Sequence, residues 1–377
     1  MKTILIAPDK FKSSLTARQV CSSIEAGIHL IDPDIKVISI PLADGGEGTC
    51  ELLTEYSNGS YVKIAVLNPL LNQIESGYGI SSDGKTAFIE MAKASGLQLL
   101  DYVDRNPLVT STFGTGQLIQ HAMESGARHI IMGIGGSATN DAGIGLADAL
   151  GFSFLSSSGE RLKPIGENLI NIDAINQQLV HPLLSQTKFT VLCDVDNPLH
   201  GKNGAAYVFA PQKGASPDDV ERLDTGLKNF EKIMGKTFNS KIDFAGAGAA
   251  GGVGAGSKAF LNAEIKMGFD FVSMYTNLEE SIRTAELIIT GEGKIDIQTL
   301  SGKVVKGVAE LSRKHAKRCV AFTGKLELSQ ELSSTLNIEK IISLTDIHTT
   351  DIEAITNAFS ILRNRTFIHL APIISTH

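Results

Sequence analysis

Several large classes of protein are excluded by what this sequence lacks. Its four cysteines, Cys21, Cys50, Cys193 and Cys319, include no Cys-x-x-Cys pair and no Cys/His spacing. That excludes a disulfide framework or a zinc site as an organising device, and the thiols read as buried filler in a reducing compartment. Proline is scarce at 11 residues while glycine reaches 37, which points to loops built on backbone contacts rather than to disorder. No apolar run approaches the ~18 residues of a membrane span. Met1-Lys2 leads directly into the strand-like Thr3-Ile4-Leu5-Ile6, where a secretory leader would carry its apolar core. A cytoplasmic protein is expected, with no membrane partner. The 34 Lys and Arg are scattered among 41 Asp and Glu, for a net charge of -7, so no basic face offers itself to nucleic acid. A small anionic substrate in a locally positive pocket remains compatible. The 377 residues suffice for about two or three domains with their own cores.

The rest of the chain is organised around GIGGSATNDAG, Gly133 to Gly143. It follows the apolar run Ile130-Ile131-Met132 and contains no large side chain. A strand running into such a loop lets backbone N–H groups approach a ligand closely, which suits a phosphate. Ile144, Leu146, Ala147 and Leu150 then recur at helical spacing, so the loop also opens a helix whose N-terminal dipole favours the same anion. The plainer alternative is that Asn140 or Asp141 is an N-cap and the glycines only ease tight packing.

Other strand ends carry similar clusters. TILIAPD leads to Asp9, Lys10, Lys12, Ser13 and Ser14, and KVISIPL leads to Asp44, Gly45, Gly46, Glu47 and Gly48. Acids beside glycines can hold a metal ion or act as a base close to phosphate; a solvated helix start is the rival reading. KFTVLCDVDN ends in Asp194, Asp196 and Asn197, which suit Mg²⁺, a substrate hydroxyl or an Asx turn. ELIITGEG continues through Glu292, Lys294, Asp296, Gln298, Thr299 and Lys303 into a helix. Thr110 to Thr115 opens another helix, which its hydroxyls could cap.

Two motif matches are weak. GISSDGKT, Gly79 to Thr86, satisfies the P-loop pattern formally, but the β-prone segment after it fits a hairpin turning at Ser82-Asp83-Gly84. GAGAAG, within Gly246 to Gly256, satisfies the dinucleotide fingerprint without the preceding strand it needs, so these glycines read as a wall meeting a ligand or another element.

The first two and last three strands share a buried α/β texture, whereas the chain turns β-rich from about Tyr61. The expected fold is therefore α/β in two domains. A Rossmann-like parallel sheet is built from both chain ends, residues 1–64 and 284–377, and a mixed α/β domain, 65–283, is inserted between them. Ligands of such sheets sit beyond the strands' carboxyl ends, so a phosphate-bearing ligand is expected in a cleft between the domains.

APDKFKSSLTA, PLADGGEGT, GIGGSATNDAG, CDVDNPL followed by Gly201 and Gly204-Ala205, PQKGA, GAGAAGGVG and the TGEG…ID…QT…GK series ending at Lys303 occur in order. This series resembles that of the bacterial type I glycerate kinases, from near residue 4 to beyond residue 325. Lys10 and Ser13 stand where Ser and Gly are frequent, and Leu42 where Met is frequent. The resemblance implies ATP-dependent phosphorylation of D-glycerate to 2-phosphoglycerate, on a two-domain α/β fold with an inserted domain.

For that chemistry the candidate roles follow from residue type. Gly135, Gly136, Ser137, Thr139 and Asn140 would cradle ATP phosphates, and Asp194, Asp296 or Glu47 would hold Mg²⁺. Asp44 would be the base, with Lys12 or Lys303 meeting the transferring phosphoryl group or the glycerate carboxylate. Lys10, Ser13, Gly45, Gly46, Gln298 and Thr299 complete the candidate substrate contacts. Alternatives are transfer to the 3-hydroxyl, a metabolite-binding protein without turnover, and a nicotinamide-dependent dehydrogenase resting on GAGAAG. A homo-oligomer is compatible with the sequence.

Overall fold

The computed structural model describes residues 3–239, 241–297, 299–301, 304–346 and 349–375. In chain order the strands are β1 (Thr3–Ile6), β2 (Lys36–Ser39), β3 (Ser60–Leu67), β4 (Gln73–Ile80), β5 (Thr86–Glu90), β6 (His129–Gly133), β7 (Ser153–Leu155), β8 (Ala174–Asn176), β9 (Lys188–Leu192), β10 (Glu264–Lys266), β11 (Leu287–Ile295), β12 (Arg318–Leu326) and β13 (Lys340–Ser343). The chain divides into a terminal unit, Met1–Asp44 with Phe269–His377, and an inserted unit, Gly45–Gly268.

The terminal unit holds a five-stranded sheet in the order β13-β12-β11-β1-β2, every pair parallel. Parallel strands are covered on both faces, and Ile4, Leu5, Ile6, Leu287, Ile288 and Ile289 are accordingly fully buried. One face packs on the helices Ala17–His29 and Ala358–Ser375, the other on Val304–Lys314. The helix Ala17–His29 begins at a capping box, with Gln19 N–H donating to the Thr16 hydroxyl and Thr16 N–H to the Gln19 side chain. It approaches Ala358–Ser375 so closely that a Cβ on Gly27 would lie 2.6 Å from Arg363 O and from Thr366 Cβ.

The inserted unit is a six-stranded mixed sheet, order β10-β9-β6-β5-β4-β3. Strands β5, β6, β9 and β10 run parallel, and β3, β4 and β5 form an antiparallel meander. An apolar cluster that includes Ile130, Met132, Ile144, Leu146, Val191 and Phe260 packs in its interior. The GISSDGKT segment is the expected hairpin: Gly84 N–H donates to Ser81 O at 2.9 Å between the paired β4 and β5. The four cysteines are buried free thiols.

The unit boundaries differ from those expected at 64/65 and 283/284. The helix Thr49–Tyr56 packs on β3, β4 and β5, and Cys50 N–H donates to Glu90 at 2.8 Å, so the chain joins the inserted unit before its β-rich texture begins. At the far end, the Phe269 ring lies against Gly307 of the terminal unit, where even a Cβ would overlap it.

Gly27→Val is expected to destabilise the protein by about 2 kcal/mol or more, because neither helix backbone can retreat without opening the core. Urea denaturation monitored by circular dichroism measures it, and an unchanged midpoint would refute the close-packing argument.

Candidate active site

At the carboxyl edge of the terminal sheet, the chain after β1 continues alongside β11: Asp9 N–H donates to Gly291 O at 2.8 Å, and Leu42 N–H to Pro8 O at 2.8 Å. This brings Asp9, Asp44 and Glu292 into electrostatic range of one another. Asp9 is 8% exposed and its Oδ1 accepts only the local N–H of Lys10 at 2.6 Å among the bonds resolved for it. Burial first, then the negative charges of Asp44 and Glu292, push its carboxyl up to about 7. Glu292 is also buried and accepts a hydrogen bond from the Thr299 hydroxyl.

Of the candidate residues here, Asp44 and Lys10 are half-buried, whereas Lys12 and Ser13 are exposed. Ser13 adopts a left-handed φ of 67°. Their loop closes through Phe11 N–H to Leu15 O at 2.8 Å, and it rests on Gly293, where a Cβ would lie 2.8 Å from Lys12 N. Thr299 is buried, with its hydroxyl spent on Glu292. Asp296 is 3.4 Å from the Lys294 ammonium. Gln298 and Lys303 lie outside the described residues.

In the inserted unit, β6 runs into the Gly133–Gly143 loop. Gly135 and Gly136 are exposed, and Gly136 has φ 75°, a conformation that favours glycine. Their N–H groups take part in no hydrogen bond among the described residues, while Gly136 O accepts Leu97 N–H at 2.9 Å. The loop then turns inward. Ser137 is 8% exposed, and Thr139, Asn140 and Asp141 are fully buried. Glycine contacts hold it on both sides. A Cβ on Gly133 would overlap Gly45 O, one on Gly251 would overlap Thr139 O, and one on Gly256 would overlap Ala142 O. The glycine wall of residues 246–256 thus meets another element, the loop itself, and Gly45 and Gly46 pack against it from the other motif.

Asp141 is the hub. Its carboxylate accepts Thr112 N–H and the Thr112 hydroxyl, both at 2.8 Å, Gly143 N–H at 3.1 Å and Gly145 N–H at 3.2 Å. It thereby ties together the starts of the helices Phe113–Glu124 and Ile144–Ala149, and Thr112 in turn accepts Leu146 N–H at 2.8 Å. Asp141 is not itself an N-cap, since Thr112 and Gly143 hold those positions, but its carboxylate serves donors at both helix starts, and the Thr110–Thr115 hydroxyls serve the protein interior. Lys213, missed as a site residue, is fully buried in this loop: its Nζ donates to Ser137 Oγ at 2.8 Å and to Thr139 O at 2.6 Å. Nearby side chains remain unsatisfied. Thr139 Oγ1 and both polar atoms of Asn140 have no hydrogen-bond partner among the described residues.

Carboxylates suit a hard divalent cation, but the acids singled out for one are differently employed. Asp194 Oδ1 accepts Gly268 N–H at 2.7 Å, anchoring the end of β10. Glu47 is exposed, in the loop before the helix Thr49–Tyr56. His200, Glu231 and Asp243 bring three donor atoms within 4.8 Å of one another. His200 Nε2 and Glu231 Oε2 are already hydrogen-bonded at 2.8 Å, and Asp243 accepts Leu199 N–H at 2.7 Å, which accounts for the grouping as a loop clamp. Asp9, Asp44 and Glu292 form the remaining acid group, at the carboxyl edge of the terminal sheet, where burial and the other two negative charges raise the Asp9 carboxyl. Asp9, just after the buried β1, and Glu292, inside the buried β11, lie in clusters that the sequence marks, and Lys213 sits in PQKGA between helical segments.

A profile of the glycerate kinase family matches residues 4–370. The chain is 44% identical to glycerate 2-kinase of Escherichia coli K12 over 94% of each chain. It is 43% identical to glycerate kinase of Bacillus cereus over 93% of this chain and 92% of the other. A crystal structure of a Salmonella typhimurium LT2 protein, provisionally named glycerate kinase 2, superposes with a TM-score of 0.88 at 40% identity, covering 100% of this chain and 98% of that one. Among the described residues no helix is long and apolar enough to cross a membrane.

Asp141→Ala strands several buried donors at once, and an unpaired buried donor costs about 1–3 kcal/mol. A loss of roughly 3 kcal/mol or more is expected in urea denaturation; a loss below ~1 kcal/mol would show that the loop does not depend on this carboxylate.

Proposed function

The chain belongs to the glycerate kinase family, and on that premise we propose that it moves the terminal phosphoryl group of ATP to the 2-hydroxyl of D-glycerate, yielding ADP and 2-phosphoglycerate with Mg²⁺ as the accompanying ion. Glycerate kinase activity, that of a phosphotransferase with an alcohol acceptor, comes with the family. The name glycerate 2-kinase carried by the E. coli relative favours the 2-hydroxyl. The single observation that carries the phosphate reading is the Gly133–Gly143 loop: exposed N–H groups at Gly135 and Gly136, backed from inside by the Lys213 amino group.

Phosphoryl transfer demands positioning and charge neutralisation more than covalent help. The Gly135, Gly136 and Ser137 backbone would receive ATP phosphates, with the buried Thr139 and Asn140 shaping the loop from within. Asp44 is the proposed base, accepting the proton of the attacking hydroxyl. For Mg²⁺ the donor chemistry of Asp9 and Glu292 fits better than that of Asp194, Asp296 or Glu47, because the burial of Asp9 and the negative charges of Asp44 and Glu292, which together raise its carboxyl, are what a bound cation offsets. When bound, the ion would neutralise charge on the phosphoryl oxygens. Lys12, exposed beside Asp9, is the proposed contact for the glycerate carboxylate or the phosphoryl group, with Lys303 as its rival by spacing. Lys10, Ser13, Gly45, Gly46, Gln298 and Thr299 are the remaining proposed surroundings of the substrate; Thr299 would act through Glu292.

An ADP-release assay with D-glycerate, ATP and Mg²⁺, with the product resolved chromatographically, is expected to give magnesium-dependent turnover and 2-phosphoglycerate. Formation of 3-phosphoglycerate would move the reaction to the other hydroxyl, and silence with every hydroxy acid tried would favour a binding protein without turnover. Asp44→Asn is expected to lower kcat by about a hundredfold or more while leaving the circular dichroism spectrum unchanged, the scale for loss of a general base. Near-normal turnover would remove Asp44 from that role.

A further inference from the structure

A lysine buried among neutral groups is an expensive feature to keep, because an ammonium loses its hydration and regains little from two hydroxyl or carbonyl acceptors. Lys213 is in that position. It is 2% exposed, it sits in the short turn Pro211–Lys213, and its hydrogen bonds go to Ser137 Oγ and Thr139 O. Both acceptors belong to the loop whose tip, Gly135-Gly136, presents its N–H groups outward. The next residue, Gly214, has φ 96° and packs its backbone on Arg105 O, which fixes the turn.

We propose that Lys213 is a positioning residue of the phosphate cradle, one that binds a proton when the phosphates of a nucleotide bind to the loop and so supplies positive charge from beneath it. The proposal rests on the reading of Gly133–Gly143 as that cradle. The charged groups on the segments around the turn are Asp141, in the loop, and Arg105, whose main chain lies against Gly214; of the two, the Asp141 charge is the one that reaches the ammonium. Asp141 is itself committed to the N–H groups of Thr112, Gly143 and Gly145. Burial therefore prevails over that attraction and pulls the ammonium down to about 7. At pH 7.5 the unliganded loop then holds the lysine largely unprotonated. Phosphates at the loop tip favour the charged form, so its affinity for a proton rises towards the ordinary lysine range and a proton is taken from buffer on binding.

The test is calorimetric titration of ADP with Mg²⁺ into the intact protein at pH 7.5, in two buffers of different ionisation enthalpy. The wild type is expected to take up about 0.5 proton or more per nucleotide beyond what Lys213→Met takes up under the same conditions, a difference in which the nucleotide's own titration cancels. Lys213→Met, of similar length but uncharged, is also expected to raise the KM for ATP about tenfold or more while leaving that for glycerate within about twofold. Because that variant could fold poorly, Lys213→Arg, which stays charged, is titrated beside it, and a wild type that takes up no more protons than either variant overturns the proposal. Gly136→Ala strains the exposed tip without touching the lysine. If Gly136→Ala weakens nucleotide binding but the proton count of the wild type equals that of Lys213→Met, the lysine's role is refuted and the cradle survives. If Gly136→Ala binds nucleotide normally, the cradle reading fails and the proposal falls with it.

Discussion

Contact of backbone on backbone, made possible by missing side chains, is the constraint on which the inserted unit depends. Gly133 lies against Gly45, Gly251 against Thr139 and Gly256 against Ala142, and at each contact a single Cβ would overlap a carbonyl oxygen. Three stretches far apart in sequence are thus drawn into one layer in which main chain replaces side chain as the packing material. Such a layer buries many peptide groups, and each needs a partner. Asp141 satisfies several of them from one carboxylate, and Ala142 N–H finds Gly251 O at 3.0 Å. Lys213 and the unsatisfied Asn140 are what this construction leaves over, and their burial is difficult to explain by stability alone.

Much of the architecture was legible because its signals are local. Runs such as TILI and RCVAF are apolar on both faces, which only a parallel strand covered on both sides requires, and all five terminal strands appear where those runs lie. The hairpin at Ser81–Gly84 was separable from a P-loop because β-prone residues follow it. The inserted unit's early start was hidden, since the helix Thr49–Tyr56 has the same texture whichever sheet it packs on.

The candidate site was legible as a set of loops and less so as a set of roles. A glycine shows that a side chain is unwelcome but not whether a ligand or a neighbouring backbone fills the space, and around Gly251 and Gly256 it is backbone. Acids at strand ends share that ambiguity: Asp194 anchors Gly268, whereas Asp9 and Glu292 lie buried beside a third carboxylate, Asp44. Lys213 was overlooked because lysine in a polar segment ordinarily reads as surface, and only tertiary structure reveals its burial.

The terminal sheet's strand order has a bearing on how the protein is made. Strand β1 lies between β2 and β11, and β11 begins at Leu287. During synthesis at roughly 5–20 residues per second, β1 therefore waits on the order of tens of seconds for its inner neighbour to leave the ribosome. The inserted unit emerges whole in that interval and can fold while β1 has only β2 to pair with. The order of synthesis is thus not the order of completion, since the terminal sheet can close only after the inserted unit has been made.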